Sequence, residues 1–438
     1  MGKSILKNPL NPVAFLISMY FPPEPGGGAI TAWNRASILS KIGYAVFVLC
    51  AFPSYPSGDV TEPKYKGKFF YLEKMENVTL IRLRLLPIES RGQLRRFILF
   101  LNFIFLSLIW MPKILRITFN IEVVYALAPN MFSCLIGFIY SKVTKSFFIY
   151  EVSAFWPEEL AAYKVNLYSA LFFFGKIIAK ISYTLPHMLI VISNFAQEYV
   201  TNTYHPKALV YPMHIGVDPS KYPTRTREHS RKELIEREIL PPILEKKFIV
   251  LYAGVITNVT NVEILFYAAD KLKNSQQDIA FLVIGEGEEK ERLEEFKKVK
   301  ELNNLLLLPF QPSIMVPYII SAADVCVVPL SRGQIYETTV PTKFFDYLAC
   351  HKPLIGICGG ELAEIINSNH IGITVSDGEI DKVVDAILNL KNSPSLIQSM
   401  EKNTDSVLEF FSLYTLASRL KEVLNKEITR WKANQLKN

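Results

Sequence analysis

The chain has 438 residues, a formal net charge of +7 and a hydrophobic fraction of 50%, with 20% charged residues. A chain of this length exceeds one typical hydrophobic core, so we expect two globular domains. The apolar content excludes a disordered protein. The sequence contains no run of basic residues, which argues against a nucleic acid partner. The moderate positive charge favours anionic small molecules or an anionic membrane surface as partners.

Cysteine, histidine and the amino terminus suggest a cytosolic, metal-free protein. The five cysteines show neither CxxC nor metal-like spacing, and no two histidines stand at metal-ligand spacing. An odd number of scattered cysteines is typical of reduced, packed thiols in the cytosol. The apolar run 13–21 is short and has no small-residue cleavage pattern, so it is predicted to be the first buried strand and not a signal peptide.

Apolar strand-like segments alternate with helical segments along the whole chain. The first series of predicted strands is 14–20, 45–51, 79–83, 122–126, 147–151 and 187–192. The second series is 248–253, 280–284, 304–308, 324–328 and 353–357. This alternation is typical of α/β domains with parallel sheets. We therefore predict two Rossmann-like domains that face each other across a cleft.

The domain boundary is predicted close to residue 212. The segment YPMHIGVDPSKY at 211–222 separates the two series of strands and leads into a charged stretch, 225–247, that contains few apolar residues. Residues 1–211 are predicted to form an acceptor-side domain and 212–412 a donor-binding domain. The last strong helix, at about 413–438, is expected to pack back on the first domain.

A glycine-rich loop, FPPEPGGG at 21–28, follows the first predicted strand. Ligands of open α/β sheets bind at the carboxyl ends of the strands, where this loop lies. Its spacing differs from the dinucleotide fingerprint G-x-G-x-x-G, so NAD is a weak prediction. Gly27 and Gly28 would let the backbone approach a substrate closely; the alternative is a merely flexible turn.

The segment PTKFFDYLACHKP at 341–353 is the most informative motif. It opens a helix, with Thr342 as the predicted N-cap and Lys343 in the first turn, where the helix already favours an anion. Asp346 follows one turn later on the same side. A cation that holds phosphate and a carboxylate that holds ribose hydroxyls are what a nucleoside diphosphate requires. The alternative is an ordinary helix with a surface lysine.

Several soft motifs occur along the chain in a fixed order: YFPPEPGGGA, FWPEE, VISNF, PMHIGVD, LYAG, FLVIGEGEEKERL and VPTKFFDYLACHKPLIG. Together they make the chain resemble a family-4 glycosyltransferase of the GT-B fold, in the bacterial subgroup that acts on amino sugars in surface polysaccharide assembly. The resemblance implies metal-independent, retaining sugar transfer without a cofactor. It also implies a nucleoside diphosphate sugar donor, expected to be UDP-linked and held mostly by the second domain.

The same resemblance assigns roles to the residues of the second domain. Thr342 and Lys343 would receive the diphosphate, and Asp346 would take the place of the second acid in the Glu-x7-Glu signature and bind the ribose. The place of the first acid is occupied by Thr338, and Glu337 lies one residue earlier.

Three further residues have two possible roles each. Arg332 could neutralise phosphate or simply face solvent. Gly285 and Gly287 could lie beside the nucleotide or form a plain turn between strand and helix.

Two departures from the family pattern affect the catalytic assignments. The loop 254–262 contains no lysine or arginine, so Lys343 and Arg332 would carry most of the stabilisation of the leaving diphosphate. Ser153 and Ala154 stand where relatives usually have an Arg-Asp pair.

The nearest carboxylates to that position are Glu151 and Glu158. Either could orient or deprotonate an acceptor hydroxyl. Glu158 could instead just begin a helix, where acids are favoured. The predicted catalytic residues are thus Glu158, Glu151 and Lys343.

Two apolar stretches flanked by basic residues suggest a membrane surface. The run 97–111 follows Arg95 and Arg96, and it is shorter than the roughly 20 residues of a transmembrane helix. The second stretch, 168–181, carries Lys176 and Lys180 on one helical face. Both stretches fit helices in a lipid interface with cations on anionic headgroups. The alternative is that both are buried helices packed on the first sheet.

The sequence therefore predicts a retaining transferase of a hexose or an N-acetylhexosamine. The predicted acceptor is lipid-linked or a glycan in the synthesis of a bacterial surface polysaccharide such as capsule or O-antigen. The protein is expected in the cytoplasm, peripherally bound to the inner face of the cell membrane. The other candidates are a sugar-nucleotide epimerase or hydrolase, and a non-catalytic partner in a polysaccharide assembly complex.

Overall fold

A computed structural model describes residues 11–24, 26–54, 57–89, 93–128, 132–153, 155, 166–222, 225–331 and 333–436. The chain divides into two compact units. The first consists of Met1–Ile215 together with Leu413–Asn438, and the second consists of Gly216–Ser412. The division lies close to the predicted boundary, and the last helix belongs to the first unit.

The first unit is built on an eight-stranded sheet. Its strands are β1 Val13–Ile17, β2 Ala45–Ala51, β3 Phe70–Met75, β4 Val78–Leu83, β5 Ile121–Leu127, β6 Phe147–Val152, β7 Met188–Val191 and β8 Leu209–Pro212. They are ordered β3-β4-β2-β1-β5-β6-β7-β8, and all neighbours are parallel except β3 and β4. Most of these strands are continuous apolar runs because a parallel sheet is covered on both faces.

Helices cover this sheet. They are α1 Gly27–Lys41, α2 Gln93–Ile109, α3 Met111–Ile117, α4 Ser133–Thr144, α5 Asn166–Thr184, α6 Asn194–Tyr204 and the last helix of the chain, α16 Leu413–Gln435. Helix α16 carries buried apolar residues at a spacing of three or four, including Leu416, Leu420 and Leu424. This stripe joins the core formed by α1 and the sheet, so the sequence period explains why α16 packs in the first unit.

The second unit is built on a six-stranded sheet. Its strands are β9 Phe248–Ala253, β10 Ile279–Ile284, β11 Leu305–Leu308, β12 Val325–Pro329, β13 Leu354–Ile357 and β14 Gly372–Val375. Its helices are α7 Arg227–Glu236, α8 Glu263–Leu272, α9 Lys290–Val299, α10 Val316–Ala322, α11 Gln334–Glu337, α12 Thr342–Ala349, α13 Gly360–Ser368, α14 Ile380–Asn392 and α15 Pro394–Phe410.

The strand order of the second sheet is β11-β10-β9-β12-β13-β14, and all neighbours are parallel. The chain winds outward from β9 in one direction and from β12 in the other. Open α/β sheets bind ligands outside the carboxyl ends of their strands at such a reversal. The topology therefore directs attention to the ends of β9 and β12.

The prediction of two α/β domains with parallel sheets is confirmed, and the predicted bounds 45–51 and 248–253 match β2 and β9. Strands β3, β8 and β14 were not predicted. Strand β3 reads FYLEKM and is mostly half-buried, and β8 and β14 have only four residues each, so all three lack a long apolar run.

Within the described ranges, no single helix is long and apolar enough to cross a membrane. The pair Leu94–Ile109 and Met111–Ile117, bent by 62°, meets the requirement of length and composition.

Candidate functional site

The helix that carries the central motif, α12, begins one residue earlier than its predicted cap implies. Pro341 is the N-cap, with φ −73° and ψ 153°, and Thr342 is the first helical residue. The prediction of Thr342 as N-cap is therefore wrong. The extended conformation of Pro341 sets the entry of the chain, and no side chain caps the helix. Thr342 is half-buried in the first turn, where its hydroxyl is still placed next to Lys343.

Lys343 lies over the carboxyl end of β9. Its Nζ donates a hydrogen bond of 2.7 Å to the Tyr252 hydroxyl and stands 4.0 Å from the centre of that ring. Gly254 leaves room for the lysine, because a Cβ at this position would lie 3.1 Å from Cε and Nζ. The ammonium group is thus held at the point where the strand order of the second sheet reverses.

The charge of Lys343 is not neutralised by an ion pair with any of the described residues. Burial lowers the pKa of Lys343 from 10.5 to about 7, and Asp346 opposes this shift through its charge. A desolvated ammonium bonded to a neutral hydroxyl gains strongly from an incoming anion, because the anion restores the stabilisation lost with water. The arrangement therefore favours an anion beside Lys343, and binding of a diphosphate there stays a prediction.

Asp346 lies one turn after Lys343 and is held by a distant tyrosine. The Tyr222 hydroxyl donates a hydrogen bond of 2.5 Å to its Oδ1. Burial raises the pKa of Asp346 to about 6, while the Tyr222 bond and the Lys343 charge act in the opposite direction. The pair of Lys343 and Asp346 predicted from the sequence is brought together, and Tyr222 orients its carboxylate.

Gly285 and Gly287 allow two loops of the second unit to pack closely. A Cβ on Gly285 would lie 1.9 Å from the carbonyl oxygen of Gly254, and one on Gly287 would lie 2.0 Å from that of Ile256. The Ile256 N–H donates to the carbonyl of Glu286 across this contact, at 2.9 Å. The space beside these glycines is filled by backbone, which favours the plain-turn alternative; contact with a nucleotide stays a prediction.

The two candidates for the first acid of the signature differ in exposure. Glu337 ends α11 with an exposed side chain, and its carboxylate approaches Gly359 at the start of α13. Thr338 is 3% exposed. Glu337 is thus the one of the two that a ligand can reach. Arg332, the predicted phosphate ligand between these motifs, lies outside the described residues.

Gly27 and Gly28 form the first turn of α1, which follows β1 in the first unit. The N-cap is Gly26 at φ +112°, a conformation that favours glycine, and no side chain caps the helix. A Cβ on Gly26 would meet no atom within 4 Å. Gly27 and Gly28, predicted to lie in the loop, are therefore the first residues of α1, at the carboxyl end of a central strand. Their contact with a substrate stays a prediction.

Glu151 is part of a closed, buried network in the first unit. Its carboxylate accepts hydrogen bonds from Arg35 Nε at 2.8 Å and Arg35 Nη2 at 2.9 Å, and it also accepts one from the Tyr125 hydroxyl. Both side chains of the ion pair are 0% exposed. This burial favours a structural role for Glu151, and its catalytic role stays a prediction. Glu158 lies outside the described residues.

Four residues of these networks were missed by sequence reasoning: Arg35, Tyr125, Tyr222 and Tyr252. Arg35 gave a weak signal, since it is a charged residue within the apolar stretch of α1. Tyr222 and Asp346 are separated by 124 positions, and no local pattern links them. Tyr252 reads as one more apolar residue of β9.

Comparison with known proteins places the second unit in a family. Residues 236–407 match the family described as Glycosyl transferases group 1. Over 105 residues the chain is 30% identical to the putative colanic acid biosynthesis glycosyl transferase WcaI of Escherichia coli (strain K12), which covers 24% of the chain and 25% of WcaI. Over 177 residues it is 27% identical to alpha-D-kanosaminyltransferase of Streptomyces kanamyceticus, which covers 40% of the chain and 44% of that enzyme. These matches span less than half the length of either curated relative.

Solved structures share the fold over almost the whole chain. Sucrose-phosphate synthase from Thermosynechococcus elongatus superposes with a TM-score of 0.75 at 17% identity, covering 96% of this chain and 100% of that one. Anabaena Alr3699/HepE in complex with UDP-glucose gives a TM-score of 0.67 at 13% identity, with 94% and 99% covered.

These similarities confirm the predicted GT-B fold, with its two Rossmann-like domains. The resemblance seen in the motifs is also confirmed at the level of a domain: residues 236–407 form a glycosyl transferase group 1 domain.

Proposed function

We propose that the protein is a retaining glycosyltransferase that moves a hexose or an N-acetylhexosamine from a nucleoside diphosphate sugar. The acceptor is lipid-linked or a growing glycan in bacterial surface polysaccharide synthesis. The observation that carries the proposal is the Lys343 ammonium at the carboxyl end of β9. It is desolvated and, among the described residues, it bonds a neutral hydroxyl and no carboxylate. The group 1 family match over the same unit supports it.

In the proposed donor complex, the diphosphate accepts hydrogen bonds from Lys343 and from the open N–H groups that begin α12. Lys343 then stabilises the charge that develops on the leaving diphosphate. Asp346, oriented by Tyr222, accepts from the ribose hydroxyls. Glu337 is the acid available to the transferred sugar. A UDP-linked donor is supported by Anabaena Alr3699/HepE, a protein of the same fold that was solved with UDP-glucose.

The test is Lys343→Ala, assayed with a panel of nucleotide sugars for binding by thermal shift and for transfer by product analysis. The variant is expected to weaken nucleotide diphosphate binding at least about a hundredfold, because a charge-assisted contact to phosphate is lost. Turnover should be abolished and the fold retained.

The matched control is Lys298→Ala, which removes an exposed lysine of α9 in the same unit. It should bind and turn over like the wild type. Unchanged activity in Lys343→Ala would overturn the phosphate site. Donor consumption without a transferred product would instead identify an epimerase or a hydrolase, and absence of nucleotide binding in the wild type would identify a non-catalytic partner.

We also propose that the first unit binds the cytoplasmic face of the membrane peripherally. Its helices α2 and α5 expose large apolar side chains at helical spacing: Leu94, Ile98, Leu101, Phe105 and Ile109 on α2, and Phe173, Ile177 and Ile181 on α5. Phe105 is 62% exposed and Phe173 is 65% exposed. Neither helix contains an acidic residue, so the surface fits anionic headgroups around buried acyl chains.

The cations of this surface differ in availability. Lys180 is exposed, whereas Lys176 donates to the Tyr199 hydroxyl at 3.1 Å and is half-buried. The two lysines are one turn apart in α5, as predicted, but they differ in exposure. Arg95 is exposed and pairs with Glu89.

Sedimentation with lipid vesicles tests the membrane proposal. The wild type should sediment with vesicles of anionic phospholipid and less with vesicles of phosphatidylcholine alone. Phe105→Glu and Phe173→Glu should each reduce sedimentation about tenfold, because an acid in the apolar face repels the headgroups and loses burial. The control Val299→Glu replaces an apolar residue of the second unit that is 72% exposed, and it should leave sedimentation unchanged. Equal loss in all three variants would contradict the proposal.

A further inference from the structure

The second unit contains a cavity of about 480 Å³ at the amino ends of its strands. Phe248, which begins β9, lines it, as do Asp324 just before β12 and Lys352 just before β13. Lys343 lies at the carboxyl end of the same sheet. The cavity is therefore separate from the proposed donor site.

Part of the positive charge around this cavity is neutralised. Arg227 pairs with Asp324 at 2.9 Å and with Glu401 at 2.9 Å. Asp324 is also bound by Arg231, at 2.6 Å. These four side chains form an ion-paired network beside the cavity. Within the part of the chain that the structure describes, the Arg227 Nε of this network is buried without a hydrogen-bond partner. Outside this network, Lys391 pairs with Asp278 at 2.7 Å, and His351 Nδ1 lies 3.0 Å from Asp405.

Two lining cations have no carboxylate partner within the part of the chain that the structure describes. Lys352 is 4% exposed, and its ammonium donates to the carbonyls of Ser321 and Ala323 at 2.8 and 3.0 Å. The Arg225 guanidinium stacks on the ring of Tyr318, 3.7 Å from its centre. Its Nε is buried without a hydrogen-bond partner.

The positive charges of Lys352 and Arg225 would be stabilised by a bound anion. Backbone carbonyls accept hydrogen bonds from the Lys352 ammonium but do not neutralise its charge. Burial lowers the pKa of Lys352. A buried guanidinium N–H without a partner costs free energy that an incoming oxygen would recover. One further acid, Glu228, lines the cavity, but it is exposed in the first turn of α7, where a helix start favours it.

We propose that this cavity binds a small phosphate-bearing anion, with Arg225 and Lys352 as its principal ligands. The guanidinium fork suits phosphate oxygens, and Lys352 adds a buried point charge. The volume falls in the range of small-molecule sites, about 300–1,000 Å³, which leaves room for an organic group beside the phosphate. The lining residues Phe248, Ala349 and Ile397 offer that group an apolar wall.

The sharpest test places an acid in the cavity without disturbing the core. Gln398 is an exposed residue of α15 that lines the cavity, so Gln398→Glu should fold normally. Ser399→Glu adds the same charge to the next position of the helix, which is exposed and does not line the cavity. Binding of inorganic phosphate and of glucose 6-phosphate is measured separately by calorimetry at constant ionic strength. All measurements use the Lys343→Ala background, so that the proposed donor site contributes no phosphate binding.

We expect Gln398→Glu to weaken phosphate binding about tenfold or more, and Ser399→Glu to change it less than about twofold. Arg225→Gln should weaken binding to a similar degree as Gln398→Glu. Tighter binding of glucose 6-phosphate than of inorganic phosphate would show that the organic group is also recognised.

The proposal is overturned if the Lys343→Ala protein binds neither probe, or if Gln398→Glu and Ser399→Glu behave alike. Neither result touches the proposed transferase activity, because that activity is tested by nucleotide binding in the protein with Lys343 intact.

Discussion

The two units each hold a buried charged cluster near the carboxyl end of a parallel sheet, and the clusters differ in how completely they are satisfied. In the first unit, the Arg35 guanidinium bonds both oxygens of Glu151 and also donates to the carbonyls of Met213 and His214. In the second unit, the Lys343 ammonium has one bond to a neutral hydroxyl. A closed cluster fixes a structure, whereas an open one can receive a ligand. Burial and charge alone do not distinguish the Arg35–Glu151 cluster from the Lys343 cluster; the hydrogen-bond partners do.

The largest expected effect breaks the closed cluster. Glu151→Gln leaves the Arg35 charge buried without its counterion, so the free energy of unfolding should fall by about 3–5 kcal/mol. Urea denaturation followed by circular dichroism measures the change. The control is Glu122→Gln, which removes the partner of the half-exposed Lys432 and should cost less than about 1 kcal/mol. A Glu151→Gln protein that keeps its stability and loses turnover would support the catalytic assignment of this carboxylate.

The second effect concerns the protonation of the open cluster. The pKa of Lys343 is lowered to about 7, and a bound diphosphate raises it, so binding takes up a proton above pH 7. Donor affinity should therefore fall with rising pH, by up to about tenfold per unit. Calorimetry with the best-binding nucleotide sugar, in two buffers of different ionisation enthalpy, measures the uptake. Lys343→Arg, which stays charged, serves as the comparison and should show none. A binding enthalpy that is independent of the buffer in the wild type would contradict the open cluster.

The smallest effect removes the one hydroxyl that orients the acid of the open cluster. Tyr222→Phe deletes the bond to Asp346, and the free energy of unfolding should fall by about 1–2 kcal/mol, with weaker nucleotide binding. Tyr267→Phe removes the matching hydroxyl of an exposed tyrosine that donates to Glu263, and it should cost less than about 0.5 kcal/mol. If both variants keep wild-type stability and binding, Tyr222 has no role in positioning Asp346.

The sequence was sufficient for most strands of the two sheets and for one site helix, because these features depend on neighbouring residues. Strands such as β2 and β9 are continuous apolar runs, and the spacing of Lys343 and Asp346 within one helix places them together whatever surrounds them. The N-cap was misassigned because threonine is a favoured capping residue, whereas Pro341 appeared to be a residue that precedes the helix. Whether a buried charge has a counterion depends on partners that are far away in the sequence. Arg35 and Glu151 are 116 positions apart, so the counterion of Glu151 could not be seen from its neighbours.

Helix α12 has eight residues, which corresponds to a length of about 12 Å. Its first turn carries Lys343, and Cys350, His351 and Lys352, which follow its end, line the cavity at the opposite edge of the sheet. Phe344 and Phe345 are buried against Phe411, so the first half of the helix is packed within the second unit. One short helix thus connects a residue of the proposed donor site with the residues that line the cavity.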